Sequence, residues 1–233
     1  MTTLSIITIC QDEETPIKWF LDCCKKTHER LGDSLREVII IDGGSVDKTL
    51  NVISENIGNL PLIVIGHPFD SWGKQRNRAL ECCSGDYVFS PDAYMSWTNN
   101  LADVILNGNV NNNTFWNLQL YFRVLDFHHY STIDSTGASM RLFRRGPKFI
   151  TEFHESLEGQ PKTPSLLPNI YLFENCLLLN DEELLNRGKR LQKFQKELSD
   201  AGAGPGAANR YVIAKQTGLN HAAHIPDSII GLL

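Results

Sequence analysis

Clustered positive charge and long apolar runs are both missing from this chain. Its 22 Lys and Arg residues are outnumbered by 27 Asp and Glu residues, which gives a formal net charge of −5. Affinity for nucleic acids and for anionic membrane surfaces depends on clustered Lys and Arg, so the composition argues against both classes of binder. No apolar run approaches the ~18 residues that a membrane span requires, so we expect no integral membrane segment.

Disulfide and zinc frameworks are lacking as well. None of the six cysteines forms C-x-x-C, and four of them occur as the adjacent pairs Cys23-Cys24 and Cys82-Cys83. Adjacent cysteines suit neither a disulfide framework nor a zinc site, so we expect reduced thiols and a cytoplasmic location. The first ten residues, MTTLSIITIC, contain no basic n-region and no cleavage site, which predicts a strand rather than a signal peptide.

The first strand is not followed by a glycine-rich turn. A nicotinamide-dependent oxidoreductase would place G-x-G-x-x-G there, but the sequence is TICQDEE, and Gly43-Gly44 follows the second strand instead. This absence argues against a nicotinamide-dependent oxidoreductase.

The first hundred residues alternate between strand and helix patterns. Continuous apolar segments predict strands, and segments with one apolar face predict helices. The predicted strands cover residues 4–10, 37–41, 60–66 and 87–91, and the predicted helices cover 16–30, 46–57 and 71–83. Such alternation predicts an α/β fold with a mostly parallel sheet flanked by helices.

The second half is patterned differently. Alternating residues predict strands at 114–127 and 139–143, and a charged helix with an apolar stripe is expected at 181–198. A break at AGAGPGA precedes a short helix expected near residues 211–217. We therefore predict one domain over residues 1–180, made of two halves that cover residues 1–96 and 97–180. A helical C-terminal appendage would cover 181–233, and the chain could be one module of a longer protein.

Two patterns at predicted strand ends carry the functional signal. The segment EVIIIDGGSVDKT is a strand that ends at Asp42, and KQRNRALECCSGDYVFSPDAYM is a helix followed by a strand that ends at Asp92. The carboxyl ends of parallel strands face the ligand crevice of an open α/β sheet. Two carboxylates there suit a nucleoside on one side and its diphosphate on the other.

At these residues the chain resembles the inverting glycosyltransferases of family 2, which have the GT-A fold. The family's marks are D-x-x-S-x-D-x-T, then R-N-x-A, then D-x-D. The first two are present from Asp42 and from Arg76, whereas Asp92-Ala93-Tyr94 replaces the second carboxylate of the third with a tyrosine. The resemblance implies a GT-A-like fold and transfer of one sugar from a nucleotide diphosphate sugar to an acceptor hydroxyl, with inversion. It also implies that residues 1–96 are the nucleotide-sugar-binding half and residues 97–180 the acceptor half.

The resemblance also implies roles for individual residues. Asp12 and Asp42, with Gly43, would hold the nucleoside, although either carboxylate could instead cap a helix or make a turn. The diphosphate side would comprise four residues: Lys74, Arg76, Asn77 and Asp92. A solvated helix face is the alternative for the three residues of the helix. Arg141, Arg144 and Arg145 could meet diphosphate charge or end a strand in solvent.

A divalent metal, Mn²⁺ or Mg²⁺, is the expected cofactor, with Asp92 and His154 as its implied ligands. Tyr94 is a poor substitute for a carboxylate, because a tyrosine side chain is neutral below its ordinary pKa of ~10. Three outcomes follow in decreasing order: a metal held by Asp92 and another residue, transfer without metal, or loss of activity.

Glu155 is the implied general base, since Phe153-His154-Glu155 follows the predicted strand SMRLFRRG. The rival bases are Asp126, His128, His129 and Asp134. A catalytically degenerate protein that binds a nucleotide sugar or a partner is the alternative function. The acceptor stays open between glycan, protein, lipid and modified nucleobase.

Overall fold

The computed structural model describes most of the chain. The described residues are 1–108, 110, 114–123, 126–131, 137–152, 156–162, 165–198, 215–216 and 222–232. Among them, no helix is both long enough and apolar enough to cross a membrane.

The first hundred residues form the predicted alternation of strands and helices. The strands are β1 (Leu4–Cys10), β2 (Leu35–Asp42), β3 (Leu62–Gly66) and β4 (Tyr87–Phe89). The helices are α1 (Pro16–Leu31), α2 (Thr49–Asn56) and α3 (Trp72–Glu81). The strands lie in the order β3-β2-β1-β4 and pair in parallel throughout. Their carboxyl ends therefore share one edge of the sheet.

Burial explains why these segments became strands. The side chains from Val38 to Ile41 in β2 are fully buried, as are Ile6 and Ile7 in β1. A parallel strand covered on both faces must be apolar on both faces, which produces the continuous apolar runs of the sequence. The core beneath this sheet includes Ile7, Ile39, Val88, Phe143 and Phe149.

The second half adds strands to the same sheet and also contains helices and a second small sheet. Its helices and strands are β5 (Met95–Trp97), α4 (Leu101–Leu106), β6 (Phe115–Phe122), β7 (His129–Ser131), β8 (Gly137–Arg144), β9 (Ser165–Glu174), α5 (Asp181–Leu198), β10 (Ala222–His224) and α6 (Asp227–Ile230). The sheet continues β4-β8-β6-β9-β5, and β8 pairs antiparallel with β4. A separate two-stranded sheet pairs β10 antiparallel with β7.

Several boundaries differ from the sequence prediction. Helix α2 begins at Thr49 rather than at residue 46, because the side chains of Ser45 and Asp47 and the backbone N–H of Val46 are used in loop contacts. Strand β6 ends at Phe122, and β9 was not predicted. Of the short helix expected at 211–217, only residues 215–216 lie within the described part of the chain, and both are helical.

The chain divides into two compact units. One comprises Met1–Gln119, Ala138–Leu172 and Leu232–Leu233, and the other comprises Leu120–Gly137 and Phe173–Gly231. The first unit contains the parallel strands and the residues discussed below as a site. The predicted division at residue 180 stays a prediction.

Candidate functional site

Asp42 ends β2 and organises the turn that follows. Its side chain is only 3% exposed, and its carboxylate accepts hydrogen bonds from the backbone N–H groups of Gly44 and Ser45, both at 3.1 Å. The Ser45 hydroxyl donates to the same carboxylate at 2.5 Å, and the Cys10 thiol lies 3.8 Å from it. Burial is the main cause that raises the pKa of the Cys10 thiol, followed by the nearby charge of Asp42. Asp42 therefore fixes the conformation of the loop that follows β2, at the carboxyl ends of the strands.

Asp12 ties the loop after β1 to the loop after β2. It has a φ of 51°, in the left-handed region that few non-glycine residues adopt. Its carboxylate accepts from the N–H of Val46 at 2.8 Å, and its own N–H donates to the Ser45 hydroxyl at 2.9 Å. The two loops are thus fixed against each other next to the carboxyl end of β1.

Gly43 is where three chain segments approach closely. Its N–H donates to the carbonyl of Cys10 at 2.8 Å, and its carbonyl accepts from the N–H of Phe69 at 3.1 Å. A Cβ atom at position 43 would lie 3.3 Å from the Cys10 carbonyl and 3.3 Å from the Gln11 Cβ. A glycine therefore allows the loops after β1, β2 and β3 to meet.

Arg76 and Asp92 form an ion pair on the other side of β1, in which the arginine is fully buried. The Arg76 side chain is 0% exposed, and its guanidinium contacts one carboxylate oxygen of Asp92 and the Ser90 hydroxyl, the latter at 2.8 Å. The Asp92 side chain is 13% exposed. Because β1 lies between β2 and β4, Asp42 at the end of β2 and Asp92, three residues beyond the end of β4, lie on opposite sides of β1.

Arg141 and Tyr94 complete the surroundings of Asp92. Arg141 donates to the second carboxylate oxygen at 2.7 Å, and the Tyr94 hydroxyl donates to that oxygen at 2.9 Å. Antiparallel pairing of β8 with β4 places Arg141 at this end of the sheet, whereas Arg144 is paired with Tyr87 at the other end.

Arg145 also lies away from Asp92. Its side chain donates to the carbonyl of Gly85 at 2.8 Å, before the start of β4. Of the three arginines left open by the sequence, only Arg141 therefore belongs to the candidate site.

The metal implied by the family resemblance can be tested against these donors. Asp92 already accepts from two guanidinium groups, and the residue two positions later is a neutral phenol that donates to it. The described part of the chain contains no group of three His, Cys, Asp or Glu side chains arranged to hold a metal ion. His154 lies outside the described residues. The described donor set does not fit a divalent cation.

Asn77 and Lys74 connect α3 to the segment that follows β8. The Asn77 amide donates to the Phe149 carbonyl at 2.8 Å and accepts from the Phe149 N–H at 2.9 Å. The Lys74 ammonium lies 2.9 Å from a carboxylate oxygen of Glu152, and this hydrogen bond is the main cause that raises the pKa of Lys74. Both side chains thus contact the 148–152 segment.

That segment is one arm of a hairpin-like pair. The Ile150 N–H donates to the Ser156 carbonyl at 2.9 Å, and the Glu158 N–H donates to the Lys148 carbonyl at 2.8 Å. Glu155, the implied base, lies outside the described residues, as does Phe153.

Among the rival bases, Asp126 belongs to the second unit. It accepts from the Nδ1 of His129 at 2.8 Å and from the N–H of His128 at 2.7 Å. The His129 hydrogen bond is the main cause that lowers the pKa of Asp126, so this carboxylate is poorly suited to accept a proton at neutral pH. Asp134 lies outside the described residues.

Sequence reasoning missed Ser90 and could not assign Arg141. The Ser90 hydroxyl accepts from Arg76, and its carbonyl lies 3.4 Å from an Arg141 nitrogen. Nothing in the sequence marks Ser90. The register of β8 against β4 would have separated Arg141 from Arg144, but an antiparallel neighbour for β4 was not predicted.

Residues 5–148 match the family model described as glycosyl transferase family 2. The match covers 144 of 233 residues, from β1 to just beyond β8. A search of curated proteins found no match.

Among solved structures, S. aureus TarS is similar over 92% of this chain, with a TM-score of 0.57 and 16% identity. The chain spans 43% of the length of that structure. The structure of S. aureus TarS 1–349 in complex with UDP-GlcNAc is similar over 100% of this chain and 84% of its own, with a TM-score of 0.55 and 14% identity. These likenesses confirm the predicted GT-A-like α/β fold.

Proposed function

Because this chain belongs to glycosyl transferase family 2, we propose that it transfers a single sugar from a nucleotide diphosphate sugar to an acceptor hydroxyl, with inversion at the anomeric carbon. The observation that carries the proposal is the pair of acidic positions on either side of β1. Asp42 and Asp12 fix the loops on one side, and Asp92 stands among arginines on the other. This edge of the sheet offers separate places for a nucleoside and for a diphosphate.

In this proposal each residue has the role that its position in the site gives it. The braced loops at Asp12, Asp42 and Gly43 would receive the base and ribose. Asp92 with its arginines, and Lys74 near the start of α3, would face the diphosphate. Asn77 would act by holding the Phe149 backbone beside this site.

The chemical step is an in-line displacement. The acceptor oxygen forms a bond to the anomeric carbon as the bond from that carbon to the phosphate oxygen breaks, and the electron pair leaves with the diphosphate. The acceptor's proton goes to a carboxylate, for which we propose Glu155. One displacement of this kind inverts the configuration.

The divalent metal that the family resemblance implies, Mn²⁺ or Mg²⁺, does not fit the described donors around Asp92, and the displacement above does not depend on it. In this chain Asp92 and His154 are the residues that the sequence proposes for it.

All six cysteines are free thiols, which supports a reducing, cytoplasm-like compartment.

Calorimetric titration of UDP, GDP and dTDP tests the donor site. UDP comes first because the S. aureus TarS 1–349 structure, which shares the fold, holds UDP-GlcNAc. Binding of one nucleotide, weakened by Asp42→Ala, is the expected result. Failure of all three to bind, with and without Mn²⁺, would refute the proposal.

A degenerate protein that binds the donor without turnover is the second candidate, and Tyr94 favours it. Release of UDP from UDP-sugars, alone and with pooled glycan, peptide and nucleoside acceptors, separates the two. Binding with UDP release that Glu155→Gln abolishes supports the enzyme. Binding without any release supports the degenerate protein.

A further inference from the structure

The Asp92 carboxylate accepts hydrogen bonds from three side chains. Arg76 contacts one carboxylate oxygen, and Arg141 and Tyr94 both donate to the other, at 2.7 and 2.9 Å. A carboxylate has about four lone-pair positions in all. Most of them are thus directed at protein donors in the described structure.

The charges of these side chains also oppose the binding of a divalent cation. Two guanidinium groups surround one carboxylate, so these three side chains together carry a net charge of +1 at neutral pH. A carboxylate binds Mg²⁺ or Mn²⁺ through its negative charge, which is here already compensated by cations. A divalent ion on Asp92 would also stand close to both arginines and be repelled by them.

The two arginines differ in burial, which assigns them different roles. Arg76 is 0% exposed and holds Asp92 from inside the fold. Arg141 is 16% exposed, so it reaches the surface side of the same carboxylate. Its planar guanidinium is well matched to phosphate oxygens and stays charged at any physiological pH.

We propose that this site holds the donor's diphosphate through Arg141 and without a divalent metal, Asp92 and Arg76 being the positioning residues that fix the Arg141 guanidinium. This inference rests on the proposed function. As the bond from the anomeric carbon to the phosphate oxygen breaks, the electron pair passes to the diphosphate, and the arginine offsets the added negative charge. The step needs no proton from the site and no metal-bound oxygen.

Tyr94 fits this arrangement. It occupies the position of the second carboxylate of D-x-D, but it donates a hydrogen bond to Asp92 and adds no negative charge. A carboxylate there would repel Asp92 and would attract a cation into the site. The tyrosine thus deprives a metal of one ligand, and it leaves out the negative charge that would attract a cation to the site.

The first test is titration of UDP into the protein in EDTA and, separately, in Mn²⁺. We expect dissociation constants that agree within about twofold, and no binding of Mn²⁺ alone by electron paramagnetic resonance. UDP binding that disappears in EDTA would overturn the inference and leave the proposed function intact. If UDP, GDP and dTDP all fail to bind in both conditions, the proposed function fails too.

The second test compares two arginines of one strand. In EDTA, Arg141→Ala should weaken UDP binding about tenfold to a hundredfold, as expected for charge-assisted hydrogen bonds. Arg141→Lys should recover only part of the loss, because it keeps the charge but not the planar fork. Arg144→Ala, at the other end of β8, should leave binding unchanged.

Circular dichroism checks that each variant is folded. If Arg141→Ala does not fold, the UDP affinities of Arg141→Lys and Arg144→Lys are compared instead. Equal affinities for the Arg141 and Arg144 variants would overturn the inference.

The third test restores the missing carboxylate. Tyr94→Asp should create Mn²⁺ binding that wild type lacks and should make UDP binding sensitive to EDTA. Mn²⁺ binding of equal strength in wild type and in Tyr94→Asp would show that the wild-type site already holds a metal, and would overturn the inference.

Discussion

The side chain of Asn77 exchanges two hydrogen bonds with the backbone of Phe149, donating to its carbonyl at 2.8 Å and accepting from its N–H at 2.9 Å. The two residues are 72 positions apart in sequence. An amide side chain that pairs in this way takes the place of a neighbouring strand, so it fixes one segment of backbone against helix α3. The family's R-N pair thus combines an arginine that holds Asp92 with an asparagine that holds the chain after β8.

Asn77→Ala should destabilise the protein by about 1–3 kcal/mol. Phe149 is buried, so its N–H and carbonyl would lose their partner without gaining full access to water. Urea denaturation followed by circular dichroism measures the change. The matched control is Asn56→Ala, whose side chain makes one local bond to the Val52 carbonyl within α2. We expect the control to change stability by less than about 0.5 kcal/mol, and equal losses in both variants would refute the role of Asn77.

Gly73→Ala should be destabilising although Gly73 lies in a helix. Alanine normally stabilises a helix relative to glycine by about 1 kcal/mol. Here a Cβ atom would stand 2.2 Å from the Thr151 carbonyl oxygen, which is backbone and cannot rotate away. We expect a loss of about 1–3 kcal/mol from overpacking, measured by urea denaturation.

The control for this variant is Gly66→Ala at the end of β3. A Cβ atom there would meet nothing within 4 Å. Gly66→Ala should therefore leave stability nearly unchanged. A Gly73→Ala protein as stable as wild type would show that the 148–152 segment does not need its close contact with α3.

The buried parallel strands and the amphipathic helices were predictable because their signals are local. Strand β1 was predicted at residues 4–10 and lies at Leu4–Cys10, and α5 was predicted at 181–198 and lies at Asp181–Leu198. A buried parallel strand must be continuously apolar, and an amphipathic helix must repeat about every 3.6 residues. Each of these rules acts within a single segment.

Strand β9 was missed because its local signals point away from a strand. It contains Pro168, and Asn169 has a φ of 64°. Both features usually mark turns, and they interrupt the alternation of apolar residues that identifies a half-buried strand. Its place in the sheet depends on its neighbours, β6 and β5, which a single segment does not reveal.

The candidate site was predictable in position but not in its partnerships. Asp42 and Asp92 were placed at strand ends by local pattern. That Arg141 meets Asp92 across 49 residues follows from the antiparallel register of β8, which depends on the whole sheet. Sequence reasoning therefore found both carboxylates and Arg76, but it could not separate Arg141 from Arg144 and Arg145.

Arg76→Ala should destabilise the protein by about 3–5 kcal/mol. The Arg76 side chain is fully buried, and its removal leaves the carboxylate of Asp92 short of one counterion in a largely buried position. Arg78→Ala is the matched control from the same helix. Arg78 pairs with Asp70 at 2.7 Å, but both side chains are about 30% exposed, so we expect a loss of about 0–1 kcal/mol. Urea denaturation of both variants decides, and equal losses would show that Arg76 is no more important to the fold than a surface arginine.

The adjacent thiols of Cys82 and Cys83 should differ sharply in reactivity. Cys82 is exposed and Cys83 is buried, and burial is the main cause that raises the pKa of Cys83 to about 12. Alkylation requires the thiolate, so at pH 9 roughly one Cys83 side chain in a thousand would be ionised. Iodoacetamide treatment and peptide mass spectrometry should show native labelling at Cys82 but not at Cys83, and labelling of both in urea. Cys82→Ser should remove the native label from this peptide.

The same raised pKa predicts how stability depends on pH. A thiol whose pKa is higher in the folded state contributes fully below its unfolded value of about 9, and the contribution is lost as pH rises towards about 12. Cys83→Ala should therefore reduce the loss of stability between pH 8 and pH 11. It should not abolish that loss, because burial also raises the pKa of Cys10 and of Cys24. Equal pH dependence in wild type and in Cys83→Ala, measured by urea denaturation across this range, would mean that Cys83 ionises as easily in the folded protein as in the unfolded chain.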